Sequence, residues 1–360
     1  MFVTQLQKAL AYIRETQDIA LFTTMADAGL SAAFRASPLF YIMLPFIGFL
    51  LTVNALMNGY LLAKANNRNF DLWFLFITST VCAVLASISL YGAAISAFLS
   101  FSFTAGPWFF FSSLAVALSH QLLMLGLNLL RAYESPQNSI QRMHYIQAAL
   151  NNLFVMAILA SALGAVVFVL LFPIIPAAGT AFSIAAVLFT GFDILWRMIP
   201  REGKQLIKGW FYLSKPEVIQ DAIANQEEIL KPKDSKEIKP KHHRMFTCCD
   251  YSAVIRLMEM EKVKPYLLEL IQYKLQLLVQ KADPQNEKIK DKISLLKVLL
   301  SEIEKPQEIS KSDALQRYPL AFQSFWAEKG EVEQIFDAVT VSQDRHRHRE
   351  ENNPSVRICA

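Results

Sequence analysis

Three stretches of this chain contain no Lys, Arg, Asp or Glu: Ala36 to Ala63, Leu72 to Leu130, and Met143 to Phe192. A bilayer crossing needs about 20 apolar residues, because the hydrocarbon core is about 30 Å thick and a helix rises 1.5 Å per residue. The first stretch fits one crossing, the second fits two with a break at Gly106-Pro107, and the third fits two with a break around Pro173, Pro176 and Gly179. Lipid offers no hydrogen-bond partner to a backbone, so at this hydropathy the crossings must be helices. The expectation is an all-α polytopic bundle over residues 37–200, with spans near 39–63, 72–99, 108–130, 146–172 and 180–199. Pro45, Asn54 and Asn58 leave open an alternative of four crossings plus a re-entrant first segment.

Charge divides the chain. Residues 1–200 hold eight Lys or Arg and six Asp or Glu; the remaining 160 hold 27 and 25. The second half therefore reads as water-soluble. Lys64 and Arg68, Arg131 and Arg142, and Arg197, Arg201, Lys204 and Lys208 lie in or beside alternate connections, while the turns at 100–107 and 173–179 carry no charge. Five crossings put all three basic segments on one side, which the positive-inside rule makes cytosolic, along with the C-terminal half. On this count the first 36 residues, with Lys8, Arg14 and Arg35, fall on the far side. The apolar spacing of Phe2, Leu6, Leu10 and Ile13 predicts an amphipathic helix there, lying in the interface or packed on the bundle. The first long apolar run begins near residue 38, so no secretory leader is expected.

Polar groups inside a membrane are costly and are candidate functional sites. His120 and Gln121 in the third span, Asn54 and Asn58 one turn apart in the first, and Asp193 near the end of the fifth are the candidates for a solute path. Hydrogen bonding between helices is the alternative role, and Arg197 is an i,i+4 partner for Asp193. Small residues at Gly92 and Ser96, and at Ala157, Ser161 and Ala165, would let helices approach closely.

Residues 201–247 combine an interfacial stretch, with Lys204, Lys208, Trp210, Phe211 and Tyr212, and a basic linker rich in Lys and Pro. Residues 248–341 predict a helical module. Leu268, Ile271, Leu275 and Leu278 make one stripe, and Ile289, Ile293, Leu296, Leu300 and Ile303 make a second after a turn at 282–284. The two form the seam of an antiparallel hairpin and a candidate interaction surface. A third helix is expected to carry Leu315, Leu320, Phe322, Phe325 and Trp326, and a fourth to cover Glu331 to Val341. The paired His242-His243 and Cys248-Cys249 are adjacent, so their side chains diverge and no metal site is expected; Cys248 and Cys249 are candidates for acylation. Asp250 or Ser252 would cap the first helix of the module. Residues 342–360 read as a disordered polar tail.

No phosphate loop, nucleophile elbow, zinc-protease or dinucleotide motif occurs, so neither an enzyme nor a cofactor is expected. The near-balanced charge gives no basic footprint for nucleic acid. The expected partners are the lipid bilayer and a protein bound through the soluble helices.

The end of the chain resembles the C-terminal signals of type IV secretion effectors of intracellular bacterial pathogens. Glu328, Glu331 and Glu333, then Glu350 and Glu351, with Ile358 third from last, carry the resemblance; the Arg-His alternation at 345–349 departs from it. It implies delivery into a host cell and insertion into a host organelle membrane. Without it, the expected location is a bacterial inner membrane.

Overall fold

The computed structural model describes residues 2–230, 244–281, 285–304 and 310–351. Every regular element among them is helical, and five helices are long and apolar enough to cross a membrane. The described residues divide into two compact units: residues 1–64, 71–129 and 146–214 in one, and residues 65–70, 130–145 and 215–360 in the other.

The first unit contains the five span helices: α3 (Pro38–Lys64), α4 (Phe70–Leu99), α5 (Gly106–Glu134), α6 (Ile140–Ala165) and α7 (Pro176–Met198), with the ends of α4, α5 and α6 contributed to the second unit. Two shorter helices, α1 (Phe2–Ala26) and α2 (Ala28–Ala36), precede them, and α8 (Arg201–Trp210) follows. α3 is continuous through Pro45, so the first apolar stretch is one full-length helix and no re-entrant break is seen. Pro45, in the third turn, leaves the Tyr41 carbonyl without its i→i−4 N–H partner, and the helix continues past it. Gly106-Pro107 starts α5, where the missing proline N–H costs nothing. The fourth span runs from α6 into a π-helical turn, Val166–Leu171.

The N-terminal segment is a helix packed on the bundle, one of the two placements its apolar spacing allowed. α1 packs along α7 and antiparallel to it. Glu15 pairs with Arg197 at 2.6 Å near one end, and the Thr180 hydroxyl donates to Ala26 O at 3.1 Å near the other. α1 therefore brings the N-terminus back to the Arg197 end of the unit. A count of apolar spans alone does not give this placement of the first residues at the Arg197 end of the unit. α1 lacks a long apolar run, yet its 25 residues extend about 38 Å at 1.5 Å per residue.

Close packing explains the small residues. Phe22 of α1 packs with Ala162, Ala165 and Ala186 of α6 and α7. A Cβ on Gly164 would lie 2.5 Å from the Phe182 ring, so α6 and α7 approach closely only with glycine there. Gly92 likewise receives the Phe103 ring. Between α4 and α5, Cys82 Sγ donates to Ser113 O at 3.3 Å and Ser113 Oγ donates to Cys82 O at 3.1 Å.

The second unit holds α9 (Val218–Leu230), α10 (Tyr251–Leu257), α11 (Met260–Gln280), α12 (Glu287–Glu304), α13 (Lys311–Arg317) and α14 (Glu331–Glu351). Its core joins Ile255, Val263, Leu267, Ile271, Leu295, Leu296, Leu299, Phe322, Ile335 and Phe336. α11 and α12 form the expected hairpin, and α14 packs across α10, α11 and α12.

Two differences stand out. The third helix ends at Arg317, because Pro319 cannot continue it. Leu320, Phe322, Phe325 and Trp326 then lie on an irregular segment. The fourth helix does not stop at Val341 but runs to Glu351. The Arg345 guanidinium donates to Ile255 O and to Met258 O (3.1 Å), carbonyls at the end of α10, and so holds that extension in place. Residues 352–360 of the expected tail, and residues 231–243 of the expected linker, lie outside the described residues.

Candidate functional site

The intramembrane candidates do not converge. His120 Nδ1 is 2.9 Å from the Thr78 hydroxyl, and its ring stacks on Phe74 with centroids 4.7 Å apart. These contacts tie α5 to α4. Asp193 binds Arg197 at 2.6 Å, and Arg197 reaches across to Glu15. Asn58 is buried on α3, and Asn54 and Gln121 are half-buried. Among the described residues no hydrogen bond joins these groups to one another. Two cavities open in this unit. One, of about 360 Å³, is lined mainly by Leu21, Phe34, Leu44, Leu90, Ala93 and Phe103; the other, of about 590 Å³, lies along α3 and α4. Neither includes His120, Asn54, Asn58 or Asp193. The arrangement fits polar groups fastening helices together.

In the second unit, side chains from the short connections between spans organise the C-terminal half. Asn67 Oδ1 accepts from Ser324 N (2.8 Å), and its Nδ2 donates to Ala327 O (3.2 Å) and Glu328 O (2.7 Å). Arg131 is 1% exposed and donates from Nη2 to Trp326 O at 2.9 Å. Phe70 stacks on Trp326 with centroids 5.3 Å apart. These groups hold the irregular segment after Pro319. The start of α6 is capped twice: Ser139 Oγ accepts from Arg142 N (3.0 Å), and Asp221 Oδ1 accepts from Ile140 N (2.8 Å). Burial raises the Asp221 carboxyl above its ordinary value, while the Ile140 N–H opposes that shift.

The segment from Arg244 to Tyr251 is the entry to the module. The Glu134 carboxylate accepts from Met245 N (3.0 Å), Phe246 N (2.9 Å) and Thr247 Oγ1 (3.1 Å). Phe246 meets Trp326 edge-on at 5.5 Å, and Asp250 caps α10 by accepting from Ala253 N at 3.1 Å. Cys249 packs against the core, and its Sγ accepts from Arg244 Nη1 at 3.3 Å. Burial pushes the Cys248 thiol up to about 12, so it is protonated and unreactive at neutral pH. His242 and His243 lie outside the described residues. Among the described residues no group of three His, Cys, Asp or Glu is placed to hold a metal.

Of the expected seam, Ile271 and Leu296 are buried in the core, and Leu275, Leu278, Leu300 and Ile303 pack against it. Leu268, Ile289 and Ile293 are half-buried outside that cluster. The core also takes in Val263, Leu267, Leu295 and Leu299, on rows beside the stripes read from spacing. α14 packs on α10, α11 and α12 together, and this wider contact draws the neighbouring rows inward.

A polar pocket of about 690 Å³ also opens in this unit, between the first turns of α6, residues 247–256 and the start of α14. Its lining comes from four separated parts of the chain, so no local motif marks it.

No protein-family model matches this chain, and no curated protein or solved structure shows significant similarity to it.

Proposed function

We propose that this is an integral membrane protein whose C-terminal helices form a binding module for another protein, with the bundle as its anchor. One observation carries the reading. The module's core is complete within residues 249–341, yet the tip of the α11–α12 hairpin leaves Val279, 56% exposed, and the half-buried Ile289 and Ile293 outside it. Apolar side chains at the end of a helical hairpin suit a small contact with a helical or loop partner. The positive-inside rule puts this module in the cytosol, with the basic connections 65–70 and 130–145 that belong to the same unit.

A photo-crosslinking amino acid at Val279, in the full-length protein in its own membrane, should trap one discrete protein species. Val279→Asp with Ile289→Asp should abolish that adduct while the protein remains inserted. Crosslinks only to lipid, or a trapped species unchanged by the double substitution, would refute the module.

The secretion reading draws on residues near the end. Glu331 and Glu333 serve the fold: Lys274 pairs with Glu331, and Lys311 binds Glu333 at 2.9 Å. That leaves Glu328 and residues 350–360 to carry the signal. Deleting 352–360 should block translocation of a reporter fusion into host cells; transfer that persists without them would remove the effector reading. The solute-path alternative receives no supporting geometry, since its polar groups are dispersed.

A further inference from the structure

The polar pocket of the second unit has the makings of a ligand site distinct from the hairpin tip. Its volume, about 690 Å³, falls in the range of small-molecule sites. Ser252 and Gln334 line it, each only 8% exposed, and among the described residues neither side chain has a hydrogen-bond partner. Gln141 Oε1 is buried and also unpartnered, while Gln141 Nε2 donates to Cys248 O at 3.4 Å. Buried polar atoms in proteins are normally satisfied, so the open Gln141 Oε1 beside this cavity points to a polar occupant.

The charges around the pocket fall into two sets. Asp337 is satisfied by Lys329 at 2.7 Å and Lys311 at 3.1 Å. Lys215 and Arg256 line the pocket with no ion pair within 4 Å among the described residues. Against them stand Asp250, whose Oδ1 caps α10, and Glu328, whose ion-pair neighbour among the described residues is His144 at 3.9 Å. Two cations without an ion pair within 4 Å, Arg256 having Asp221 as an electrostatic neighbour, favour an anion with several oxygens, and an arginine is suited to gripping two at once. The two carboxylates would repel an isolated anion and favour an ammonium beside it.

We propose that this pocket binds a small zwitterion carrying a phosphate and an ammonium a few atoms apart, as in a phosphoethanolamine group. Lys215 and Arg256 take the phosphate, Asp250 and Glu328 take the ammonium, and Ser252, Gln334 and Gln141 supply neutral hydrogen bonds. The group has two sources, a free phosphoethanolamine or the headgroup of a membrane lipid.

The test uses full-length protein in nanodiscs of phosphatidylglycerol alone, titrated with O-phosphoethanolamine by calorimetry. Saturable binding is expected, weakened at least tenfold by Arg256→Gln and, independently, by Glu328→Gln. Both positions are solvent-exposed, and melting temperatures should match wild type. Nanodiscs containing phosphatidylethanolamine distinguish the sources: loss of the soluble probe's binding there assigns the site to the lipid headgroup, and retained binding assigns it to the free molecule. Inorganic phosphate binding as tightly as phosphoethanolamine, glycine binding equally well, no binding of any probe, or indifference to both substitutions would each overturn the proposal.

Discussion

Leu296 gives the sharpest test of the C-terminal module. Its side chain is 0% exposed at the centre of the core, whereas the next residue, Lys297, points to solvent. Replacing a buried leucine with alanine costs about 2–5 kcal/mol, from lost burial and the cavity left behind. A fragment of residues 244–351 contains every residue of this core together with the Arg345 contacts. At roughly 0.05 kcal/mol per residue, such a fragment should be stable by about 5 kcal/mol. Leu296→Ala should then remove around half of that stability or more. Since each kcal/mol shifts the melting temperature of a domain this size by about 4–8 °C, the melt should fall by at least about 10 °C. Lys297→Ala should stay within about 0.5 kcal/mol of wild type. Circular dichroism melts and urea titrations of the three fragments read this directly. Equal effects of the two substitutions would refute the packing described for α11, α12 and α14.

Further outcomes follow from particular contacts. Gly164→Val in the full-length protein should destabilise the bundle by about 1–3 kcal/mol through the Phe182 ring, while Gly126→Ala, with no atom within 4 Å of its Cβ, should be neutral or stabilising; detergent melts compare them. Cysteines at Gln5, Asn66 and Asn138 should label from one side of the membrane and a cysteine at Thr104 from the other; Gln5 labelling together with Thr104 would contradict the antiparallel α1–α7 pair. With the Cys248 thiol held up to about 12, against an ordinary value near 8.5, its thiolate fraction at pH 8 drops about a thousandfold or more. Native protein should resist iodoacetamide at Cys248 at pH 8, and unfolding in urea should restore rapid alkylation; fast reaction in the folded state would show that the site is open.

The five span helices were legible in the sequence because the bilayer imposes a one-dimensional rule: a charge-free stretch of sufficient length has to be a helix. The breaks at Gly106-Pro107 and between Leu171 and Pro176 follow from local backbone chemistry, and so does the Asp250 cap on α10. The hairpin of α11 and α12 was readable from its periodicity, but not which rows of its helices would be buried. That depended on α14, whose position across three helices no stripe encodes. The spacing of α1 left open whether it lies in the interface or packs on the bundle; the choice depends on a partner, Arg197, that lies 182 residues beyond Glu15. The segment after Pro319 takes its shape from Asn67, Phe70 and Arg131, which belong to connections read from sequence only as topological charge. The polar pocket likewise gathers Gln141, Lys215, Ser252 and Gln334 from distant positions. Local sequence fixes what a segment must become when solvent or backbone sterics leave one choice. Long-range hydrogen bonds and shared burial have no such local signature, and only the folded chain brings those groups into one place.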